Sequence, residues 1–211
     1  MPTNTSPIRV LCVDDHRIVR EGLTLIINRE RDMNVVGAAA SGEESVDLFM
    51  RLSPDVTLMD LQLGTMSGVD TIRAIRRSDP GARIVVLTMY QGDEDIYMAL
   101  EAGATTYLLK DMLSDDLVRV VRQVHAGGHP VMPDVQARLT ERATGQTLTR
   151  REIQVMELIS KGMRNKEIGV LLGISEETAH VHVRNIFAKL KVKDRSAAIN
   201  VALRRGIVHI I

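Results

Sequence analysis

The sequence predicts an α/β domain, a doubly wound five-stranded parallel sheet, followed by a small all-α domain of four helices. Three observations lead there. Up to about residue 128, short β-rich runs alternate with amphipathic stretches of helical length, a pattern that implies parallel strands covered on both faces. From residue 148 the strand-like runs stop and four short helical patterns follow. The charge also changes sign between the two parts. Residues 1–128 have 19 Asp and Glu against 13 Lys and Arg, residues 129–211 have 8 against 14, and the formal net charge of zero is their cancellation.

The elements follow in order. The first run, Ile8–Val13, precedes a helical period carried by Ile18, Val19, Leu23, Ile26 and Ile27. The second, Asn34–Ala39, leads into Ser41-Gly42-Glu43-Glu44, which reads as a capping box. The third, Asp55–Met59, is followed by a similar cap at Ser67-Gly68-Val69-Asp70. The fourth, Arg83–Thr88, precedes a period at Ile96, Ala99 and Leu100; after the fifth, Thr105–Leu109, Ser114-Asp115-Asp116 puts negative charge in a first helical turn. Breakers at Gly127, Gly128, Pro130, Pro133 and Gly145, around a short helical possibility at Val135–Arg142, mark residues 129–147 as a linker. It divides a domain of residues 1–128 from one of residues 148–211. In the second domain Thr149-Arg150-Arg151-Glu152 is a capping box opening the first helix. Helices over Asn165–Leu172, Ser175–Leu190 and Asp194–Arg205 follow, with Gly173 and Gly206 as stops. A helix, a turn at Gly173 and a longer helix with a basic outward face form a helix-turn-helix arrangement.

Composition narrows the class. An apolar fraction of 45% and 211 residues suffice for two packed cores and exclude a disordered chain. The single cysteine, Cys12, can form neither an internal disulfide nor a cysteine-rich zinc site, and its apolar run predicts a buried, inert thiol. Residues 1–6 lack an apolar signal core, and no run approaches the ~18 apolar residues of a membrane span. A cytoplasmic protein is therefore expected. The basic half is a candidate for a polyanion, with a merely solvated basic face as the other reading.

In open α/β sheets ligands sit at the carboxyl ends of the strands. There the first run offers Asp14 and Asp15, the third Asp60, the fourth Thr88 and the fifth Lys110. Taken singly, such residues are turn formers or solvated side chains; together they bring three carboxylates, a hydroxyl and an ammonium to one edge. Carboxylates in a shallow crevice suit Mg²⁺, and a carboxylate beside such a cation can be a nucleophile toward phosphorus. A structural ion or an unfilled acidic patch would leave Thr88 and Lys110 without a role.

Residues 8–127 resemble the receiver domain of bacterial two-component response regulators, a flavodoxin-like fold. Residues 148–208 resemble the LuxR-type helix-turn-helix, and the whole chain resembles the NarL/FixJ class. The resemblance rests on Val13-Asp14-Asp15-His16, the Asp60 segment, Val86-Leu87-Thr88-Met89-Tyr90 with Ala102-Gly103-Ala104, and Tyr107-Leu108-Leu109-Lys110-Asp111. In the second half Leu148-Thr149-Arg150-Arg151-Glu152, Asn165-Lys166-Glu167-Ile168 and Ile174-Ser175-Glu176-Glu177-Thr178 carry it.

It implies roles. Asp60 is the expected phosphoacceptor. Asp15, Asp60 and the main-chain carbonyl of Gln62 are expected Mg²⁺ ligands, with Asp14 acting through water. Thr88 and Lys110 would meet the phosphoryl group, and Tyr107 matches the aromatic switch position, where the other reading is an ordinary edge-strand aromatic. Two departures stand out. Leu63-Gly64 replace the usual Met-Pro, which predicts a more flexible loop and an altered phosphoryl lifetime, and Asp111 follows the lysine where receivers at large have proline.

By the same resemblance the helix 175–190 is the recognition helix, with His180, Val181 and Arg184 reaching bases, although lysine is more usual where His180 stands. Lys166, Lys189, Lys191 and Lys193 are expected phosphate contacts. The last helix is expected to supply a DNA-bound dimer contact through Ala198 and Val201, residues that could instead pack within the bundle. The function implied is a transcription factor controlled by phosphorylation of Asp60. Its partners would be a sensor histidine kinase, double-stranded DNA with two half-sites, a second copy of the chain, and RNA polymerase. Two other classes differ in testable ways: a DNA-binding regulator using the receiver only to dimerise, and a small-ester phosphatase, which needs a second general acid and a substrate pocket that the sequence does not show.

Overall fold

The computed structural model describes residues 6–88, 92–110, 114–130 and 147–208. Most of the linker, the possible helix at Val135–Arg142, and Asp111 lie outside them. The described residues form two compact units.

The first unit holds strands β1 (Ile8–Val13), β2 (Met33–Ala39), β3 (Val56–Met59), β4 (Ile84–Thr88) and β5 (Thr106–Leu109). Helices α1 (Arg17–Asn28), α2 (Gly42–Leu52), α3 (Gly68–Ser78), α4 (Asp93–Glu101) and α5 (Ser114–His125) alternate with them. All strand pairs are parallel, in the order β2-β1-β3-β4-β5. The expected doubly wound sheet is present. Winding runs outward from β1 to β2, then reverses to β3, β4 and β5, so the reversal lies between β1 and β3, where such sheets open a crevice at their carboxyl ends.

Every residue of β3 and β4 is buried, as expected for central strands covered on both faces. On one face Val10, Cys12, Leu58, Val85 and Leu87 pack with Leu23 and Ile27 of α1 and Leu117, Val120, Val121 and Val124 of α5. Burial of such a side chain is worth roughly 1.5–3 kcal/mol, so these contacts fix both helices to the sheet. Cys12 is fully buried, and burial pushes its thiol up to about 12, so it is inert as expected.

The caps set where the helices start. Ser41 accepts from the Glu44 amide at 3.2 Å, but the Glu44 carboxylate takes the Ala40 amide, so the reciprocal bond of the expected capping box shifts by one residue. Ser67 accepts from the Asp70 amide at 3.1 Å and donates its hydroxyl to Asp70 at 2.8 Å. At the other edge of the sheet Arg122 of α5 grips the α1–β2 connection, donating to both carboxylate oxygens of Asp32 at 2.8 Å and to Glu30 at 2.6 Å.

The second unit holds α6 (Arg150–Ser160), α7 (Asn165–Leu172), α8 (Glu176–Leu190) and α9 (Arg195–Arg204), matching the four helical patterns. Thr149 and Glu152 form a complete capping box. Gly173, in the left-handed region, ends α7, and Ser175 caps α8 by accepting from the Thr178 amide. Val155, Met156, Ile159, Ile168, Ala179, Val183, Ile186, Leu190, Ala198 and Ala202 fill its core.

This burial corrects one expectation. Ala198 is wholly inside the bundle, so it cannot lie on a seam between copies, while Val201 packs on the core and stays partly exposed. The sequence shows the methyl of Ala198 but not which side of a short helix its neighbours cover.

Candidate functional site

The crevice between β1 and β3 collects the predicted acidic residues. Val13 and Met59 are in register, and the Asp60 amide donates to the Val13 carbonyl at 2.9 Å, so Asp14 and Asp60 leave adjacent strands at the same level. Asp14 is fully buried, Asp60 is 3% exposed, and Asp15 opens to solvent. Asp14, Asp15, His16 and Asp60 each offer a ligand atom, all within 4.8 Å of one another.

Lys110 closes the group from β5. Its amide donates to the Thr88 carbonyl at 2.9 Å, which ties it to the end of β4. Its ammonium lies 2.5 Å from Asp14 Oδ2 and 2.8 Å from Asp60 Oδ2. The other Asp60 oxygen accepts the Leu61 amide at 2.8 Å. Burial pushes the Asp60 carboxyl above its ordinary range; Lys110 pulls it down, and the Asp14 charge pushes it up again. Burial pulls Lys110 down, but its bonds to Asp14 and Asp60 outweigh that and hold it above the ordinary lysine range. The result is an ammonium counterion held between two buried carboxylates.

Thr88 and Tyr107 are fully buried, on β4 and on the edge strand β5. Their strands are paired so that Val86 faces Tyr107 and Thr88 faces Leu109. Gln62 stands two residues after Asp60, and its backbone amide also favours the Asp60 carboxylate.

Two glycines shape the loop after β3. Gly64 stands at φ 75°, a left-handed conformation that proline cannot take, since its ring holds φ near −65°. The departure from Met-Pro therefore goes with a specific backbone turn, beyond the added freedom expected from glycine alone. Gly68, at the start of α3, lies against the main chain of Asp60, where a Cβ would stand 2.1 Å from the Asp60 carbonyl oxygen. Its amide donates to the Leu61 carbonyl at 2.8 Å. In the sequence Gly68 reads only as part of a cap.

In the second unit His180 and Arg184 are exposed on α8, to one side of its buried stripe of Ala179, Val183, Ile186 and Leu190, and Val181 is half-buried beside them. The Asn165 side-chain amide lies 3.3 Å from His180 Nδ1. Lys166, Lys191 and Lys193 are exposed. Lys189 is partly exposed. Its ammonium donates at 2.6 Å to Glu152, a nearly buried carboxylate that also accepts from the Thr149 amide and hydroxyl. Lys189 ties α8 to α6 through this bond, and its side chain stays 26% exposed.

Comparison with known proteins gives the same two units. The family described as "Response regulator receiver domain" matches residues 10–122, and that described as "Bacterial regulatory proteins, luxR family" matches residues 146–202. The chain belongs to the response-regulator family. This response regulator is 37% identical over 210 residues to the transcriptional regulatory protein LiaR of Bacillus subtilis, covering 96% of this chain and 100% of LiaR. It is 35% identical over 207 residues to the response regulator protein VraR of Staphylococcus aureus, covering 96% of this chain and 99% of VraR. Among solved structures, the response regulator ChrA of a heme-sensing two-component system is similar at 33% identity and a TM-score of 0.59, over 97% of this chain and 100% of ChrA. RcsB of Salmonella enterica serovar Typhimurium, solved on a promoter with a phosphomimetic, shares the fold at a TM-score of 0.70 and 24% identity, over 93% of this chain and 98% of RcsB. This response regulator thus joins a receiver domain to a LuxR-type DNA-binding domain, an architecture of two-component transcription regulation. Among its described residues no helix is long and apolar enough to cross a membrane.

Proposed function

We propose that this response regulator is a cytoplasmic transcription factor switched by phosphorylation of Asp60. The observation that carries the reading is the single ammonium of Lys110 held between Asp14 and Asp60 at the sheet's reversal point. A sensor histidine kinase would be the donor. An Asp60 oxygen forms a new P–O bond as the P–N bond to the donor imidazole breaks, and the electron pair leaves on that nitrogen. Lys110 already faces the acceptor oxygen, so it meets the added charge without first being brought in.

The donor set fits Mg²⁺: hard oxygen ligands, a buried Asp14 and a solvent-open Asp15 through which water and phosphate oxygens can reach the ion. Asp15, Asp60 and the Gln62 carbonyl would hold it, with Asp14 acting through water. When bound, Mg²⁺ neutralises phosphoryl oxygens entering an anionic crevice. Apart from gaining and losing this phosphoryl group the protein turns over no substrate.

Thr88, at the end of β4, would bond the phosphoryl group, and Tyr107 on the neighbouring strand would register that movement as a change in its packing. The phosphoryl group favours one of two existing states by its contacts, so the effect is a population shift toward dimer. The DNA-binding domain would then engage two half-sites. Arg184, Val181 and His180 would reach bases, Lys166, Lys191 and Lys193 phosphates, and Val201 the partner copy, with RNA polymerase as the downstream partner. Domain boundaries at 128 and 148 leave residues 129–147 to absorb the change.

The test is intact mass and sedimentation of wild type and Asp60→Asn after treatment with Mg²⁺ and a small phosphoryl donor. Wild type alone should gain one phosphoryl mass and shift toward dimer. If neither protein is modified, the reading is wrong and the receiver is a dimerisation scaffold.

A further inference from the structure

The loop after β1 carries a potential ligand that the magnesium reading leaves unused. His16 Nδ1 lies 2.6 Å from Asp15 Oδ1 and 3.5 Å from Asp14 Oδ1, on the solvent side of the carboxylate group. Its ligand atom shares the 4.8 Å cluster with those of Asp14, Asp15 and Asp60. The backbone of His16 is anchored separately, since its amide donates to Asp14 Oδ1 at 2.9 Å. The ring is thus fixed at its root while 70% of the side chain remains exposed. Opening the Nδ1–Oδ1 separation by roughly half an ångström gives the spacing of two neighbouring ligands on one first-row ion bound at ~2.0–2.2 Å.

Rotation of an exposed ring suffices for that movement. The two classes of cation respond to an imidazole differently. Mg²⁺ takes oxygen ligands and keeps its waters, whereas first-row transition ions gain from a nitrogen donor.

We infer that His16 is a metal-specificity residue, whose imidazole joins Asp15 and Asp60 in binding Mn²⁺ or a similar first-row ion more tightly than Mg²⁺. The inference rests on the reading of this crevice as a cation site. Its chemistry sets no new step. It makes the site respond to which divalent ion is available, with an imidazole where an all-oxygen crevice would offer only water.

The probe is Mn²⁺ alone, added to the full chain and followed by electron paramagnetic resonance. Free-ion signal gives affinity, and pulsed spin-echo modulation reports nitrogen bonded to the metal. Wild type should bind Mn²⁺ with a ¹⁴N modulation that changes to a ¹⁵N pattern when only histidine is labelled. His16→Gln should lose the modulation and bind Mn²⁺ on the order of tenfold more weakly, while its Mg²⁺ affinity shifts less than about threefold. Asp15→Asn should lose the bound ion, which places the signal at this crevice. Bound Mn²⁺ without nitrogen modulation, or equal weakening for both ions in His16→Gln, overturns the role of His16 and leaves the cation site standing. Failure of wild type to bind Mn²⁺ at all overturns both. Circular dichroism of His16→Gln should match wild type, because the anchoring bond uses only its backbone amide.

Discussion

Gly68 and Asp60 touch backbone to backbone: a Cβ on the glycine would stand 2.1 Å from the acceptor's carbonyl oxygen and 2.5 Å from Leu61 Cα. Both obstacles are main chain, so neither can swing aside as a side chain would. The first turn of α3 therefore holds the Asp60 backbone in place from behind. Gly68→Ala should cost about 1–3 kcal/mol of receiver stability and slow acquisition of the phosphoryl mass relative to wild type. Urea unfolding and timed intact mass check the two effects. Unchanged stability would mean that the contact gives way without cost.

Gly64 makes the opposite demand. A Cβ there meets nothing within 4 Å, but φ is 75°. Gly64→Asn should be well tolerated, Gly64→Ala should cost roughly 1 kcal/mol, and Gly64→Pro, which restores the residue usual in receivers, should be the worst of the three. Thermal unfolding should give that order. If the proline variant is the most stable, the left-handed turn is not the solution conformation.

The Lys189–Glu152 pair predicts a pH effect confined to the DNA-binding domain. Burial raises the Glu152 carboxyl, but Lys189 and the Thr149 bonds outweigh it, and the net position lies below the ordinary 4.5. A carboxyl lowered on folding contributes stability above 4.5 that is lost as pH falls through the folded-state value. Glu152→Gln should remove about 1–3 kcal/mol at pH 7, reduced from a fully buried pair because Lys189 is partly exposed, and should flatten the acid limb below pH 4.5. Chemical unfolding between pH 3 and 7 measures both.

The proposed DNA contacts give the cationic residues separable signatures. Arg184→Ala should relax preference at one base pair per half-site, at about 1–3 kcal/mol. Lys166→Ala should weaken all sequences alike and lower the salt slope by about one. Lys189→Ala should leave the salt slope unchanged and lower domain stability instead. Binding isotherms across a salt series, on sites selected from a random pool, would separate the three.

The division between what was legible in the sequence and what was not follows the range of the interactions. Strand runs, caps and the acidic crevice come from patterns a few residues long plus one topological rule, and the sheet order places Asp14, Asp15, Asp60 and Lys110 together as that rule requires. The Lys189–Glu152 bond joins residues 37 positions apart, so no local pattern shows it. Ala198 was assigned to a seam because a small apolar residue reads alike on either side of a helix. The turn at Gly64 was invisible because glycine permits a left-handed φ without requiring it.

The strand-to-helix loops at one edge of the sheet carry Asp14, Asp15, Asp60 and Lys110, and the helix-to-strand returns at the opposite edge carry none of them. One of these returns, Asp79–Ala82, is a tight turn closed by its own hydrogen bonds, and residues 79–81 are exposed. It is therefore the natural place to splice in a fluorescent reporter or an affinity tag. An insert there would leave both chain ends free and would sit a full strand length from the chemistry it is meant to watch.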